Sequence, residues 1–201
     1  MAERQVLALA DQDVERIEGL MARQGVRGAR VPGPCWETMS TISVLVETAE
    51  HGQSLLKLYR HERKYRREVT AMGRLIESEY TPPLLYHGQL PTPVKVFHRR
   101  LEQEVDWSFY ILRGWFEGVP GQNPPAEDQD AFLKAIFAFC DHCGLYGLCL
   151  GDVRGDSFIW WNRRLTWIDY DGFTTSEDYA ESLRTRNRNY LRARLERLEV
   201  I

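Results

Sequence analysis

Between Asp11 and Gln24 the apolar residues Val14, Ile17, Leu20 and Met21 recur at helical spacing, with Gly25 as a stop, and predict an opening helix. Gly28 to Trp36 is too rich in Gly and Pro to be regular for long. Ile42 to Val46 and Ser54 to Tyr59 then read as two strands joined through a His51-Gly52 turn. The charged segment from His61 to Glu79 follows, with Val69, Met72, Leu75 and Ile76 on one helical stripe. Beyond Thr81-Pro82-Pro83 come three strand-like pieces, Leu84 to Tyr86, Val94 to Phe97 and Trp107 to Leu112. A Gly-rich joint from Gly114 to Gly118 is a candidate hinge. Glu127 to Cys143 reads as an apolar helix on Phe132, Ile136, Phe137 and Phe139. Phe158 to Trp161 and Leu165 to Ile168 read as short strands about an Asn162-Arg163-Arg164 turn, and Glu177 to Leu198 as an arginine-rich helix.

Composition narrows the classes. The chain has 201 residues, 43% of them hydrophobic, and a formal charge of −3, which suits one domain or two small lobes and supplies no global field toward nucleic acid or anionic lipid. No apolar run approaches the roughly 18 residues of a membrane span, and Met1-Ala2-Glu3-Arg4 does not open a signal peptide, so a cytoplasmic protein is expected. Cys140-x-x-Cys143 lies in a predicted helix with no second pair to complete a zinc tetrad, which predicts buried, reduced thiols. No Gly-x-Ser-x-Gly elbow and no Walker Gly-Lys-Ser/Thr occurs.

The chemistry-bearing residues fall in an order that phosphoryl transfer requires. A strand lysine, Lys57, is followed by a glutamate, Glu68, on the inward stripe of the next helix, and a carboxylate so placed fixes a flexible ammonium against nucleotide phosphates. Gly151-Asp152-Val153-Arg154-Gly155-Asp156-Ser157 then runs through a strand-turn-strand to Asp169. In that pattern Asp152 accepts or orients the proton of an attacking hydroxyl, Asp169 carries Mg2+ with Ser157 in the second ligand position, and Asp171 stands by as a further carboxylate. Arg154 is placed to neutralise the transferring phosphoryl group of ATP. Turn chemistry alone also explains Asp and Gly at 169 to 172.

The order of elements predicts an α+β, two-lobed, protein-kinase-like fold, with a small N-terminal antiparallel sheet plus helix and a mostly helical C-terminal lobe. Residues 1–113, with a leading helix in 1–25, form the nucleotide-anchoring lobe and 114–201 the catalytic lobe. About thirty residues follow Asp171, too few for the segment that holds a protein substrate, so an open site for a bulky acceptor is expected.

Three stretches, Leu55 to Tyr59, Tyr110 to Gly118, and Leu148 to Asp152 through Ile168-Asp169, resemble the lipopolysaccharide core heptose kinases, a branch of the kinase-like superfamily, over about Glu37 to Gly172. The resemblance implies nucleotide anchoring by Lys57, a nucleotide-facing hinge of Leu112, Arg113 and Trp115, a base at Asp152 and a metal residue at Asp169. It also implies a lipid-linked core oligosaccharide, or another small hydroxyl acceptor, as substrate on the cytoplasmic side. Arg60, Arg63, Lys64, Arg66 and Arg67, and the arginines at 184, 186, 188, 192, 194 and 197, are candidates for contact with phosphorylated sugars or the inner membrane surface, against the plainer reading of solvated helix faces with Tyr190, Leu191, Leu195 and Leu198 packed inward.

The chain departs from that family pattern at defined places. Ser157 stands where relatives carry a metal-binding Asn, Leu150 where many carry His, and no Gly-x-Gly-x-x-Gly covers the phosphates. Arg30 to Pro34 is the only stretch available for that cover, and Asp156 is an alternative ligand beside Ser157. A pseudokinase that binds nucleotide or serves as a scaffold is therefore the second reading.

Overall fold

The computed structural model describes residues 8–32, 35–115, 118, 124–154 and 157–198. Its backbone falls into two compact units, residues 1–65 with 84–115 and residues 66–83 with 116–201.

The first unit is a five-stranded antiparallel sheet backed by a helix. The helix α1 (Asp11–Arg23) buries Ile17, Leu20 and Met21. Strands β1 (Cys35–Thr38), β2 (Thr41–Thr48), β3 (Gly52–Tyr59), β4 (Leu84–His98) and β5 (Gln103–Gly114) lie in the order β1-β2-β3-β5-β4. Because side chains alternate along a strand, the register sorts them cleanly. Cys35, Val44, Val46, Leu56, Leu58, Tyr110 and Leu112 form one core with α1. The intervening positions Trp36, Ser43, Lys57 and Ile111 oppose one another across the other face.

Two differences from the expected strands have physical causes. β4 is one strand of 15 residues, and its register slips between Gln89 and Val94, around Pro91 and Pro93. Prolines are tolerated there because β4 is a sheet edge and a bulge needs no amide from them. β1 arises from the tail of the Gly/Pro-rich stretch, at the opposite edge.

Helix α2 (Glu62–Arg74) is shorter than the charged segment suggested. It buries Glu68, Ala71 and Met72, and Leu75 follows, but Ile76 lies beyond the helix end and is 69% exposed, so it does not share the inward stripe. In the first unit the opening turn of α2 is fastened by Tyr65, whose ring stacks on Phe109 at 5.1 Å and whose hydroxyl meets His87 Nδ1 at 2.9 Å.

In the second unit α3 (Gln129–Leu145) buries Phe132, Ile136, Phe139, Cys140 and Cys143, and α4 (Ala180–Arg197) buries Leu183, Asn187, Leu191 and Leu195. Tyr190 is half-buried and not part of that stripe. Phe137 is also half-buried, with the guanidinium groups of Arg188 and Arg192 about its ring at 5.9 and 6.0 Å. Between the helices run β6 (Leu148–Cys149), β7 (Phe158–Trp161), β8 (Arg164–Trp167) and β9 (Thr174–Thr175), paired β6 with β9 and β7 with β8. Asn162 and Arg163 form the two-residue β7–β8 turn, both at positive φ, the conformation that matches strand twist in tight hairpins. Ring contacts from Phe139 to Trp167 (4.6 Å) and Phe132 to Phe158 (5.2 Å) seat this hairpin on α3.

All four cysteines are free and buried. Burial raises the Cys35 thiol to about 11 and Cys140 and Cys143 further, so they stay protonated near neutrality. Among the described residues no helix is long and apolar enough to cross a membrane.

Candidate functional site

In the second unit the site is built on two loops pressed together. The first follows β6 and carries Gly151, Asp152, Val153 and Arg154. The second follows β8 and carries Asp169 to Gly172. A Cβ placed on Gly151 would lie 2.4 Å from the Gly172 carbonyl oxygen, one on Gly172 would lie 2.2 Å from the Gly151 oxygen and 2.8 Å from the Asp152 Cβ. Only glycine permits that approach. The sequence-predicted Asp152 and the Asp169 turn are thus neighbours.

Asp152 is exposed and holds φ at +50°, a left-handed conformation that Asp tolerates better than most residues and that collects at functional sites. Its loop is held from α4. The buried Asn187 accepts from Leu150 N–H at 3.0 Å and donates to Leu148 C=O at 2.8 Å. Tyr190 Oη accepts from Val153 N–H at 3.3 Å, and Arg194 Nε donates to Val153 C=O at 2.9 Å. Ser157, 1% exposed, closes the loop: its Oγ accepts from Arg154 N–H and its own N–H donates to Arg154 C=O, both at 3.0 Å. The second loop is equally fixed, since Ile168 N–H donates to Ser157 C=O at 2.8 Å and the Trp167 indole donates to Asp169 C=O at 2.7 Å.

Asp169 is buried, and its Oδ2 lies 2.5 Å from Arg154 Nη2, so the expected metal residue and the expected phosphoryl-neutralising residue form an ion pair. Among the described residues no group of three His, Cys, Asp or Glu side chains is arranged to hold a metal. A single buried carboxylate nevertheless suits Mg2+, which takes one or two carboxylates and completes its shell with phosphate oxygens and water. Ser157 fits less well, because its oxygen already serves the Arg154 amide. Asp171 is half-buried beside Gly172, whereas Asp156 and Gly155 lie outside the described residues.

In the first unit Lys57 sits in the middle of β3, 6% exposed, with Nζ 5.5 Å from the centre of the Tyr59 ring. Arg113, 2% exposed, opposes Leu55 and so shares the Lys57 face. Leu112 points the other way, into the core with Leu56 and Leu58. Trp115 follows β5 and donates its amide to Gln53 C=O at 3.4 Å. Its indole stacks on Trp36 with centroids 6.0 Å apart and 25° between planes, so the two half-buried rings meet across β2 and β3, whose face positions there are Ser43, Leu45, Leu55 and Lys57. Glu68, which belongs to the second unit, is fully buried on α2, on the stripe predicted for it.

The stretch expected to cover phosphates has its amides committed. Arg30 N–H donates to Glu47 C=O at 2.8 Å and Val31 N–H to the Glu18 carboxylate at 3.0 Å; Pro32 has none, and Gly33 and Pro34 lie outside the described residues. The β1–β2 turn is no substitute: Ser40 and Thr41 amides both donate to Thr38 Oγ1. Of the hinge, Phe116 and Glu117 also lie outside the described residues, while Gly118, at φ +120°, packs on β7, where a Cβ would meet the Ile159 side chain at 2.5 Å.

Trp36, Asn187 and Tyr190 were not singled out as site residues from the sequence, and Arg194 was named there only as a candidate for contact with phosphorylated sugars or the membrane surface. Asn187 had a usable signal, since Leu183, Asn187, Leu191 and Leu195 recur every fourth residue and a polar side chain in a buried row must find partners.

No protein-family model matches the chain, and no curated protein matches it. Among solved structures it is similar to the Rio2 kinase from Chaetomium thermophilum in complex with ADP/Mg2+ and phosphoaspartate, with a TM-score of 0.58 and 14% sequence identity over 90% of this chain and 59% of that one. The likeness shows a kinase-like α+β fold, and this chain spans 59% of the neighbour's length.

Proposed function

We propose that the chain is an ATP-dependent phosphotransferase to an alcohol, and that its acceptor is a sugar hydroxyl of a lipid-linked core oligosaccharide. The observation that carries the first part is the Gly151–Gly172 contact, which presses the loop of an exposed carboxylate, Asp152, against the turn that follows a buried one, Asp169, on loops held by α4 and Trp167. The acceptor rests on the resemblance of Leu55 to Tyr59, Tyr110 to Gly118 and Leu148 to Asp169 to heptose kinases. Arg184, Arg186 and Arg188 are engaged with Glu181, Asp178 and Asp141, which lowers the charge α4 offers to an anionic acceptor or a membrane surface.

Asp152 takes the proton of the acceptor hydroxyl as its oxygen attacks the γ-phosphorus, and the bond to the ADP oxygen breaks. Arg154 meets the charge on the transferring group. Lys57, with Glu68 as its proposed partner, holds nucleotide phosphates, and Leu112 to Trp115 supply backbone and ring to the base. Mg2+, held by Asp169 with nucleotide phosphates, would neutralise charge that develops between them. Trp36 extends this reading: its strand lies two from that of Lys57, about 10 Å across the sheet, and the indole pair it makes with Trp115 offers a stacking surface for the base. Intrinsic tryptophan emission is accordingly expected to change on titration with ATP and with GTP but not with tripolyphosphate, and the Trp36→Ala protein is expected to lose most of the response.

Two observations favour the second reading, a nucleotide-binding pseudokinase: Ser157 Oγ is spent on its own loop and Arg154 lies on Asp169. Thermal unfolding with and without Mg-ATP tests the metal site. Nucleotide at a hundred-fold excess over its dissociation constant adds about 2.7 kcal/mol, on the order of 5–10 °C in Tm for a chain of this size, and Asp169→Ala is expected to abolish that rise. No rise in the native chain at millimolar Mg-ATP would remove the kinase reading.

A further inference from the structure

We propose that Arg154 holds the place of a divalent cation on Asp169, so that loading the metal and freeing Arg154 for the phosphoryl group are a single exchange. The inference rests on the kinase reading of Asp169 and adds to it. The Asp169 side chain is 6% exposed, and a carboxylate so far from water requires a positive partner. Arg154 supplies such a partner at 2.5 Å, yet its own side chain is 40% exposed. The two ends of the pair are therefore unlike: one is sealed, the other opens to solvent.

The backbone beneath Arg154 has no freedom to take part. Val153 is held by Tyr190 and Arg194, and both backbone polar groups of Arg154 are bonded to Ser157. Motion is left to the long side chain. The main chain that carries the carboxylate is held as well, since the carbonyl of Asp169 accepts the Trp167 indole and Ile168 is tied to Ser157. A divalent cation arriving at Asp169 thus meets a buried anion on a held main chain and a long, partly exposed monovalent side chain, and two cations on one carboxylate repel. Arg154 leaves along its exposed side, two residues from the proposed base, where the transferring group will be. Before the metal arrives, the guanidinium keeps the buried charge compensated.

Titration of the full chain with Mn2+ in the absence of nucleotide, followed by the paramagnetic resonance signal of the free ion, tests the exchange. Arg154→Gln is expected to take up Mn2+ more tightly than the native chain by on the order of ten-fold, the usual size of coupling between two ligands competing through one site. Arg154→Lys, which keeps the charge but not the planar fork, is expected to fall between, and Asp169→Asn to remove uptake in every background. Without metal, Arg154→Gln melts below the native chain, and Mn2+ restores it by a larger shift than the native chain shows. Equal or weaker uptake by both Arg154 variants, with native uptake still dependent on Asp169, overturns the exchange alone. Absence of Asp169-dependent uptake in all of them overturns the metal reading as well.

Discussion

Asp152→Ala is expected to lower the rate of phosphate transfer from ATP to core oligosaccharide by about 10²–10⁴-fold, the range for losing a general base, while Mg-ATP still raises Tm as it does in the native chain. The separation follows from position. Asp152 is exposed, donates nothing to the loop bonds that Asn187, Tyr190, Arg194 and Ser157 make, and already sits at a φ of +50° that alanine tolerates less well. The stability cost is thus limited to that local strain, about 1 kcal/mol. Asp152→Asn, which keeps the shape and tolerates the same backbone, is expected to lose the rate without the strain. Single-turnover transfer and a parallel melt read the two effects apart, and undiminished transfer in Asp152→Asn would remove this residue from the chemistry.

Asn187→Ala is expected to produce the largest loss of stability. It strips the partner from a buried amide, Leu150 N–H, and from a buried carbonyl, Leu148 C=O, at about 1–3 kcal/mol for each orphaned group. A loss of about 2–5 kcal/mol is a large share of the 5–15 kcal/mol that holds an ordinary domain. Asn187→Asp is expected to be no better, because it keeps an acceptor for Leu150 but turns a second acceptor, with charge, toward the Leu148 carbonyl. Urea unfolding reads the effect as a lower midpoint with unchanged slope. Tyr190→Phe removes one longer bond, at 3.3 Å to a half-buried ring, and should cost under half as much. A midpoint unmoved by Asn187→Ala would show that the helix does not hold this loop.

The parts of the fold most legible in the sequence were those where a period repeats. Val14, Ile17, Leu20 and Met21 announce α1 to within a residue, and the alternation about Lys57 gives the β2–β3 hairpin. Phe158 to Trp161 and Leu165 to Ile168 about an Asn162-Arg163-Arg164 turn give the β7–β8 hairpin, with Arg164 in the strand instead of the turn. What was lost had no period to read. β6 and β9 are two residues each and exist because their backbones pair with one another, which no local pattern encodes. β4 was split in the reading by Gly88, Pro91 and Pro93, because local sequence does not say that a strand is at an edge, where prolines do little harm. Ile76 was assigned by spacing alone, and spacing does not mark where a helix stops; α2 ends at Arg74.

The site divides similarly. Residue types at fixed intervals picked out Lys57, Glu68, Asp152 and Asp169, and the structure puts Lys57 and Glu68 in buried positions and Asp152 against the Asp169 turn. The pairing of Arg154 with Asp169 was not legible, because fifteen residues and a hairpin separate them and the contact depends on how that hairpin folds back. Trp36 was hidden for a related reason. Its relevance comes from a ring on β1 reaching one beyond the end of β5, a relation between strands far apart in the chain.

The glycine-on-glycine approach fixes how closely the loops that carry the two acids come together, through main chain and with no rotamer in that contact. Geometry of that kind does not drift as surrounding side chains are exchanged. For the proposed phosphotransferase, the spacing of the two loops is therefore inherited independently of the side chains that descendants of such a chain place around it.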